Sequence, residues 1–277
     1  MIRIGPAGWS YKDWEGVVYP PHGSRFDHLA YLAHFFGTIE VNSSFYRIPP
    51  VGHAKSWIRR VGGNPDFRFT VKLYRGFTHE ESAAANDAKE FRDFLDPLQE
   101  NGRLGALLVQ FPWSFKEDGS AEERLSGILE TFDDYPKAVE VRHASFQNDR
   151  FYRFLDEHKT GFVNIDQPLF SDSVRPSSVV TGGLGYARLH GRNYQKWFAH
   201  SESWERYDYL YSAGELEPWV ERVESMSRDA DVYVITNNHF RGQAIVNALE
   251  LEKALGGTPE IPPQLISQYP ERFPSVG

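Results

Sequence analysis

AVEVRHASF, residues 138–146, begins with the apolar Ala138, Val139 and Val141 of a buried strand and carries Glu140, Arg142 and His143 among them. A charge buried without a partner is expensive, so these groups either pair with one another or face a shared polar cavity. In a strand, side chains alternate between faces: Val139 and Val141 take one, Glu140 and Arg142 the other. A strand apolar on one side and ionic on the other fits a sheet with a helix layer outside and a polar lumen inside.

The stretch belongs to the run KAVEVRH (137–143), and the rhythm recurs along the chain. IRIGPAG (2–8), TIEVNSSF (38–45), FRFTVKL (67–73) and GALLVQFP (105–112) precede it; GFVNIDQP (161–168), YARLHG (186–191) and DVYVITNN (231–238) come after it. Helical spacing fills the intervals. DAKEFRDFLDPLQE (87–100) places Phe91, Phe94, Leu95 and Leu98 on one face, and GQAIVNALELEKAL (242–255) does so with Ile245, Ala248, Leu249 and Leu255. Eight strand–helix units predict an α/β fold, a single (β/α)8 TIM barrel. A doubly wound sheet would not require eight, and no GxGxxG follows any strand. Neither a long Pro, Gly or Ser linker nor a low-complexity tract interrupts the chain, so residues 1–277 read as one domain.

Composition narrows the chemistry. The chain of 277 residues is 40% hydrophobic and 25% charged, as expected of a globular protein, and has no cysteine, which excludes disulfides, thiolate zinc sites and cysteine nucleophiles. A formal charge of -8 and a pI of about 5.7 give no global attraction to nucleic acid or to an anionic membrane. MIRIGPAGWS lacks a signal-like pattern and no membrane-length apolar run occurs, so a soluble, cytoplasmic protein is expected.

Taking polar residues of each strand as inward, the lumen receives Glu40 and Asn42, then Arg68, Thr70 and Lys72, then Gln110, Glu140 and Arg142. Asn164 and Asp166, Arg188 and His190, and Asn237 with Asn238 complete the set. Packing-only barrels fill these layers with branched aliphatics, and catalytic groups sit at the C-terminal strand ends. The convergence predicts a site at that mouth.

The blocks IGPAGWSYKDW, TIEVNSSFYRIP, FRFTVKLYRGFTHE, GALLVQFPWSF, AVEVRHASF, YARLHGR and YVITNNHFRGQAIVNALEL, in this order, resemble the YecE-like family, domain of unknown function 72. That resemblance implies a TIM barrel and brings no agreed catalytic residues. A loose likeness to metal-dependent endonuclease barrels of the endonuclease IV type is analogy of fold.

Glu140, His190, Asp166 and Glu40 are the catalytic candidates, set against the alternative that Glu140 and Arg142 form a structural ion pair. His143, at the strand exit, reads equally as a proton carrier or a loop cap. Glu40, Glu140, Asp166 and His190 also have the types of a divalent-metal set, yet no HExxH or close ligand spacing is present; no metal and no cofactor are expected. Lys72, Arg142 and Arg188 compete as partners, and against three carboxylates they leave the mouth near charge balance. Asn42, Gln110, Asn237 and Asn238 add neutral hydrogen-bonding groups. Arg188 suits bidentate contact with phosphate or carboxylate, or a salt bridge to Glu140 or Asp166. Arg241, beside the helix starting near Gly242, marks the place where TIM barrels often hold phosphate.

Two loops are aromatic-rich: residues 8–20, offering Trp9 and Tyr11 as ligand contacts, and the long segment after strand seven, residues 192–213. The second is expected at the C-terminal face, most of its rings forming a satellite core. The favoured function is an enzyme acting on a small anionic or sugar-like molecule, Glu140 or His190 moving protons while Arg188 and Lys72 hold negative charge. The alternatives are a metal-dependent phosphodiesterase acting on nucleic acid and a non-catalytic ligand sensor.

Overall fold

The computed structural model describes residues 1–21, 25–199, 201–202 and 204–274. The eight runs are strands: β1 (Ile2–Pro6), β2 (Thr38–Val41), β3 (Arg68–Lys72), β4 (Leu104–Gln110), β5 (Lys137–Glu140), β6 (Thr160–Asp166), β7 (Leu184–Leu189) and β8 (Asp231–Thr236). They pair in parallel in the order β1-β8-β7-β6-β5-β4-β3-β2. The ends of that order meet through a bridge between Ala7 and Glu40, where the Gly8 N–H donates to the Glu40 carbonyl at 2.8 Å. The sheet is thereby a nearly closed barrel. Gly5 permits the seam, because a β-carbon there would lie 1.8 Å from the Thr38 carbonyl oxygen.

Ten α-helices, among the described residues, accompany the strands. Their apolar faces bury large rings against the sheet: Trp57, from helix Val51–Arg60, meets Phe94 of helix Asp87–Glu100 at 5.7 Å and Phe69 of β3 at 6.0 Å. Each such ring contributes about 1.5–3 kcal/mol by leaving water. Some helix starts carry a short polar cap; Asp118 accepts from the Ala121 N–H at 2.8 Å and Asn148 from the Phe151 N–H at 3.0 Å. No helix among the described residues is long and apolar enough to cross a membrane.

Strand register decides which side chains enter the lumen. Val163 pairs with Tyr186 and Ile165 with Arg188, while Asn164 pairs with Ala187 and Asp166 with Leu189. Paired residues share a face, and Tyr186 and Arg188 both reach Glu40 across the barrel. Val163 and Ile165 are therefore the inward residues of β6. Asn164 and Asp166 face the helices, contrary to the expectation from polarity. There Asn164 donates to the Val179 carbonyl at 2.8 Å, and Asp166 meets Trp219 of helix Ala213–Ser227. Asn238 is a second correction. Alternation beyond β8 turns Asn237 inward and Asn238 outward, where its amide donates to Asn247 of helix Gln243–Ala254 at 2.8 Å. Polarity locates two faces of a buried strand without saying which faces the lumen, since either is tolerated where a partner waits.

Between β7 and helix Ala213–Ser227 the chain runs through residues 190–212 with one 3₁₀ turn, Glu205–Tyr207. Two positions there, 200 and 203, lie outside the described residues. Trp197 and Tyr211 are buried; Trp204, Arg206 and Tyr207 border a cavity at the barrel mouth.

Candidate functional site

The cavity, of about 1220 Å³, opens at the C-terminal ends of the strands. Its floor rests on an ionic network that the barrel strands bring together. Glu40, at the top of β2, accepts from Arg188 Nη2 at 2.6 Å, Arg188 Nε at 3.0 Å and the Tyr186 hydroxyl at 3.0 Å. Glu140, closing β5, accepts from the third Arg188 nitrogen, from Arg142 Nη2 at 2.9 Å and from His190 Nε2 at 3.2 Å. Burial alone would raise the Glu140 carboxyl; Arg188, His190 and Arg142 overcome it and hold the carboxyl well below the ordinary carboxylate range. Arg188 is raised in turn, because Glu140 and Glu40 outweigh the cost of its burial.

His190 is fully buried, and burial pushes its imidazole down to about 3 despite the neighbouring Glu140. The ring is thus neutral near pH 7. Donation from Nε2 to Glu140 leaves Nδ1 to accept from the Asn237 amide at 3.0 Å, a tautomer assigned from the network. Both nitrogens have protein partners, which suits a positioning role better than proton transfer.

Lys72 stands apart. It ends β3, and its ammonium lies 3.9 Å from the centroid of the Phe45 ring. No hydrogen bond or carboxylate partner engages its Nζ among the described residues. Burial first, then Arg188 and Arg142, push it down to about 7 against the pull of Glu140 and Glu40. Ser44 fixes the local backbone, its hydroxyl lying 3.0 Å from the Val41 carbonyl and 2.6 Å from the Lys72 carbonyl. The short helix Ser43–Tyr46 thereby follows β2 directly and presents Phe45 beneath the ammonium.

The rim is aromatic. Tyr11 stacks on His239 at 4.4 Å and donates its hydroxyl to the Ala7 carbonyl at 2.7 Å. Burial raises its phenol well above the ordinary value, so it stays protonated. Burial also pushes His239 down to about 4, against a small pull from Asp13. Trp9 packs edge-on against Trp57 at 5.2 Å, and Trp204 stacks on Phe240 at 4.2 Å. Two further buried polar atoms beside this space, Asn42 Oδ1 and His239 Nδ1, have no hydrogen-bond partner among the described residues.

Of the residues singled out from sequence, Trp9, Tyr11, Asn42, Lys72, Gln110, Arg142, Arg188 and Asn237 border this one cavity. Glu40, Glu140 and His190 lie beneath it, buried. Asp166 and Asn238 are on the other side of the sheet. Arg241 is exposed and outside the lining; its backbone N–H donates to Asp13 at 2.5 Å, and Gly242 beside it packs towards Val17, Val18 and Leu265. The helix start proposed for phosphate therefore lies beside the cavity, whose lining reaches His239 and Phe240 but not Arg241 or Gly242. The four-residue metal set is likewise divided, because Asp166 faces away and Arg188 bridges Glu40 and Glu140. No cluster of three or more His, Cys, Asp or Glu suited to a metal occurs among the described residues. Phe45, Tyr46, His239 and Phe240 also line the cavity and escape the sequence reading, although each closely follows a recognised strand end.

The sequence profile described as "Protein of unknown function DUF72" matches residues 3–271. The chain belongs to the DUF72 family. A relative from Bacillus subtilis (strain 168), UPF0759 protein YunF, is 29% identical over 272 residues, covering 92% of this chain and 95% of YunF. A crystal structure of a DUF72 family protein from Thermotoga maritima MSB8 superposes with a TM-score of 0.83 at 37% identity, over 92% of this chain and 99% of that one. One from Enterococcus faecalis V583 gives 0.81 at 28% identity, over 95% and 98%. The DUF72 assignment agrees with the family resemblance read from the sequence blocks.

Proposed function

We propose that this DUF72 chain is an enzyme that binds a small anionic molecule, phosphorylated, carboxylated or sugar-like, at the barrel mouth and acts on it by proton transfer. One observation carries the reading: Lys72 brings a cation without a carboxylate partner into a large cavity. Around the cavity and its floor Lys12, Lys72, Arg142, Arg188 and Arg206 stand against Asp13, Glu40 and Glu140, so cationic groups outnumber carboxylates even with Lys72 part-neutral near pH 7. An anion completes that balance where water is partly displaced and charge interactions strengthen. Poised near neutrality, Lys72 exchanges a proton with the ligand, while Arg142, Gln110, Asn42 and Asn237 supply orientation. Arg188, held by both glutamates, organises the floor.

Calorimetric titration with inorganic phosphate and a panel of sugar phosphates tests this. Binding is expected in the wild type, weakening with salt and falling at least tenfold, about 1.4 kcal/mol, in Lys72→Met. Absence of binding across the panel in the wild type overturns the reading.

A further inference from the structure

Anion binding at the mouth leaves open what Lys72 does to the bound molecule. We propose, resting on that anion-binding reading, that Lys72 is a nucleophile that forms an imine with an aldehyde or ketone bearing a phosphate or carboxylate. A lysine serving only as half of an ion pair would share the floor carboxylates, yet Glu40 is engaged by Arg188 and Tyr186, and Glu140 by Arg188, Arg142 and His190. The ammonium instead lies against the Phe45 ring, at the edge of a space with room for a small substrate. Arg142 is placed to hold the anionic end: it retains 13% side-chain exposure, borders the same cavity and has the Trp197 ring 5.6 Å from its guanidinium carbon.

The groups charged towards Lys72 come from several elements: Glu40 from β2, Glu140 and Arg142 from β5 and just beyond, Arg188 from β7. His79, in the turn after helix Arg75–Thr78, is pushed down to about 4 by burial and then by Lys72, and remains neutral in the working range. Burial and the two arginines leave a substantial fraction of Lys72 as free amine near pH 7, the form that attacks carbonyls. The step balances without an oxidant or reductant. The amine lone pair bonds to the carbonyl carbon, the C=O π pair moves to oxygen, and a proton passes from nitrogen to that oxygen. The carbinolamine then expels the hydroxyl as water, with a second nitrogen proton leaving, so amine plus carbonyl gives imine plus water. Protonated, the imine draws electrons from the adjacent carbon, which provides for proton abstraction or carbon–carbon cleavage there.

Pyridoxal 5′-phosphate, an aldehyde with a phosphate, is the probe. The full chain is incubated with it, reduced with borohydride and mapped by peptide mass spectrometry, with inorganic phosphate as competitor. One saturable adduct on Lys72 is expected, suppressed by phosphate, its rate rising with pH about a midpoint near 7 instead of the ordinary lysine value of 10.5. Lys72→Arg is expected to lose the adduct, because a guanidinium forms no imine, and phosphate binding is read on the wild type alongside. Labelling spread over surface lysines with Lys72 untouched overturns the imine. If phosphate still binds in that case, the anion reading survives; if it does not, both fall. A Lys72 adduct that phosphate does not compete overturns the anionic substrate class.

Discussion

Two buried carboxylate clusters lie on opposite faces of the same sheet, and they differ in what surrounds them. On the outer face Asp166 receives four donors: Arg192 Nε at 2.8 Å and the Tyr211 hydroxyl at 2.8 Å on one oxygen, Arg192 Nη2 at 2.7 Å and Trp219 Nε1 at 2.7 Å on the other. Protein groups close that cluster around the buried Asp166, with Arg192 alone of its donors part-exposed. The inner cluster joins Glu40 and Glu140 through Arg188 and borders a cavity of about 1220 Å³ with Lys72 beside it. Both are densely bonded, so burial and ion pairing alone do not mark a site. Proximity to space and a charged neighbour without a partner do.

The largest effect is expected from cutting the inner cluster at its centre. Arg188→Met leaves two buried carboxylates with only Arg142, His190 and Tyr186 as donors. Removing one partner of such a network costs on the order of 3–5 kcal/mol. Urea unfolding at pH 7 measures it, and a loss below about 1 kcal/mol would show that Arg188 is not the structural centre of the floor.

The same comparison shows how far the sequence could be read. Glu140 and Arg142, two apart beside a strand of valines, announce the inner cluster, and the eightfold rhythm places Glu40, Lys72 and Arg188 around one lumen. Polarity puts Asp166 on the wrong face because β6 is buried on both sides, where it tells nothing about direction. The donors to Asp166 come from 26, 45 and 53 residues further on, Arg192, Tyr211 and Trp219, and nothing near Asp166 in the chain signals them. Asn238 fails for a simpler reason: neighbours in an extended chain cannot both face inward. The isolation of Lys72 is also hidden, since it depends on Arg188 and Arg142 occupying the carboxylates first.

Next in size is the pH dependence that Lys72 imposes on stability. Its ammonium is held at about 7 in the folded chain, below the unfolded value of 10.5, so the unfolded chain carries more protons between those limits. Stability from this group therefore rises with pH through that window, and its cost is fully present below about 7. Lys72→Met should gain on the order of 3 kcal/mol over wild type at pH 6.5, allowing for partial exposure, with the advantage shrinking towards pH 9.5. Urea midpoints at three pH values check this. A difference independent of pH would mean that the ammonium is solvated in the folded chain.

The smallest effect is expected on the outer face, where it separates scaffold from site most cleanly. Asp166→Asn keeps one carbonyl oxygen, able to accept from one side of the cluster, but turns an amide towards donors on the other side. Arg192 loses its bidentate partner and, being part-exposed, can recover solvation, whereas the fully buried Trp219 Nε1–H cannot. The cost is then chiefly one stranded buried donor and one weakened charge-assisted contact, on the order of 2 kcal/mol. The cavity lies across the sheet, with Ile165 and not Asp166 sharing the face of Arg188. Phosphate titration of Asp166→Asn at a temperature where it remains folded should therefore match the wild type within about twofold. A tenfold loss of phosphate affinity in the folded variant would show that the outer cluster sets the geometry of the mouth through β6, and that the division between a closed scaffold and an open site is wrong.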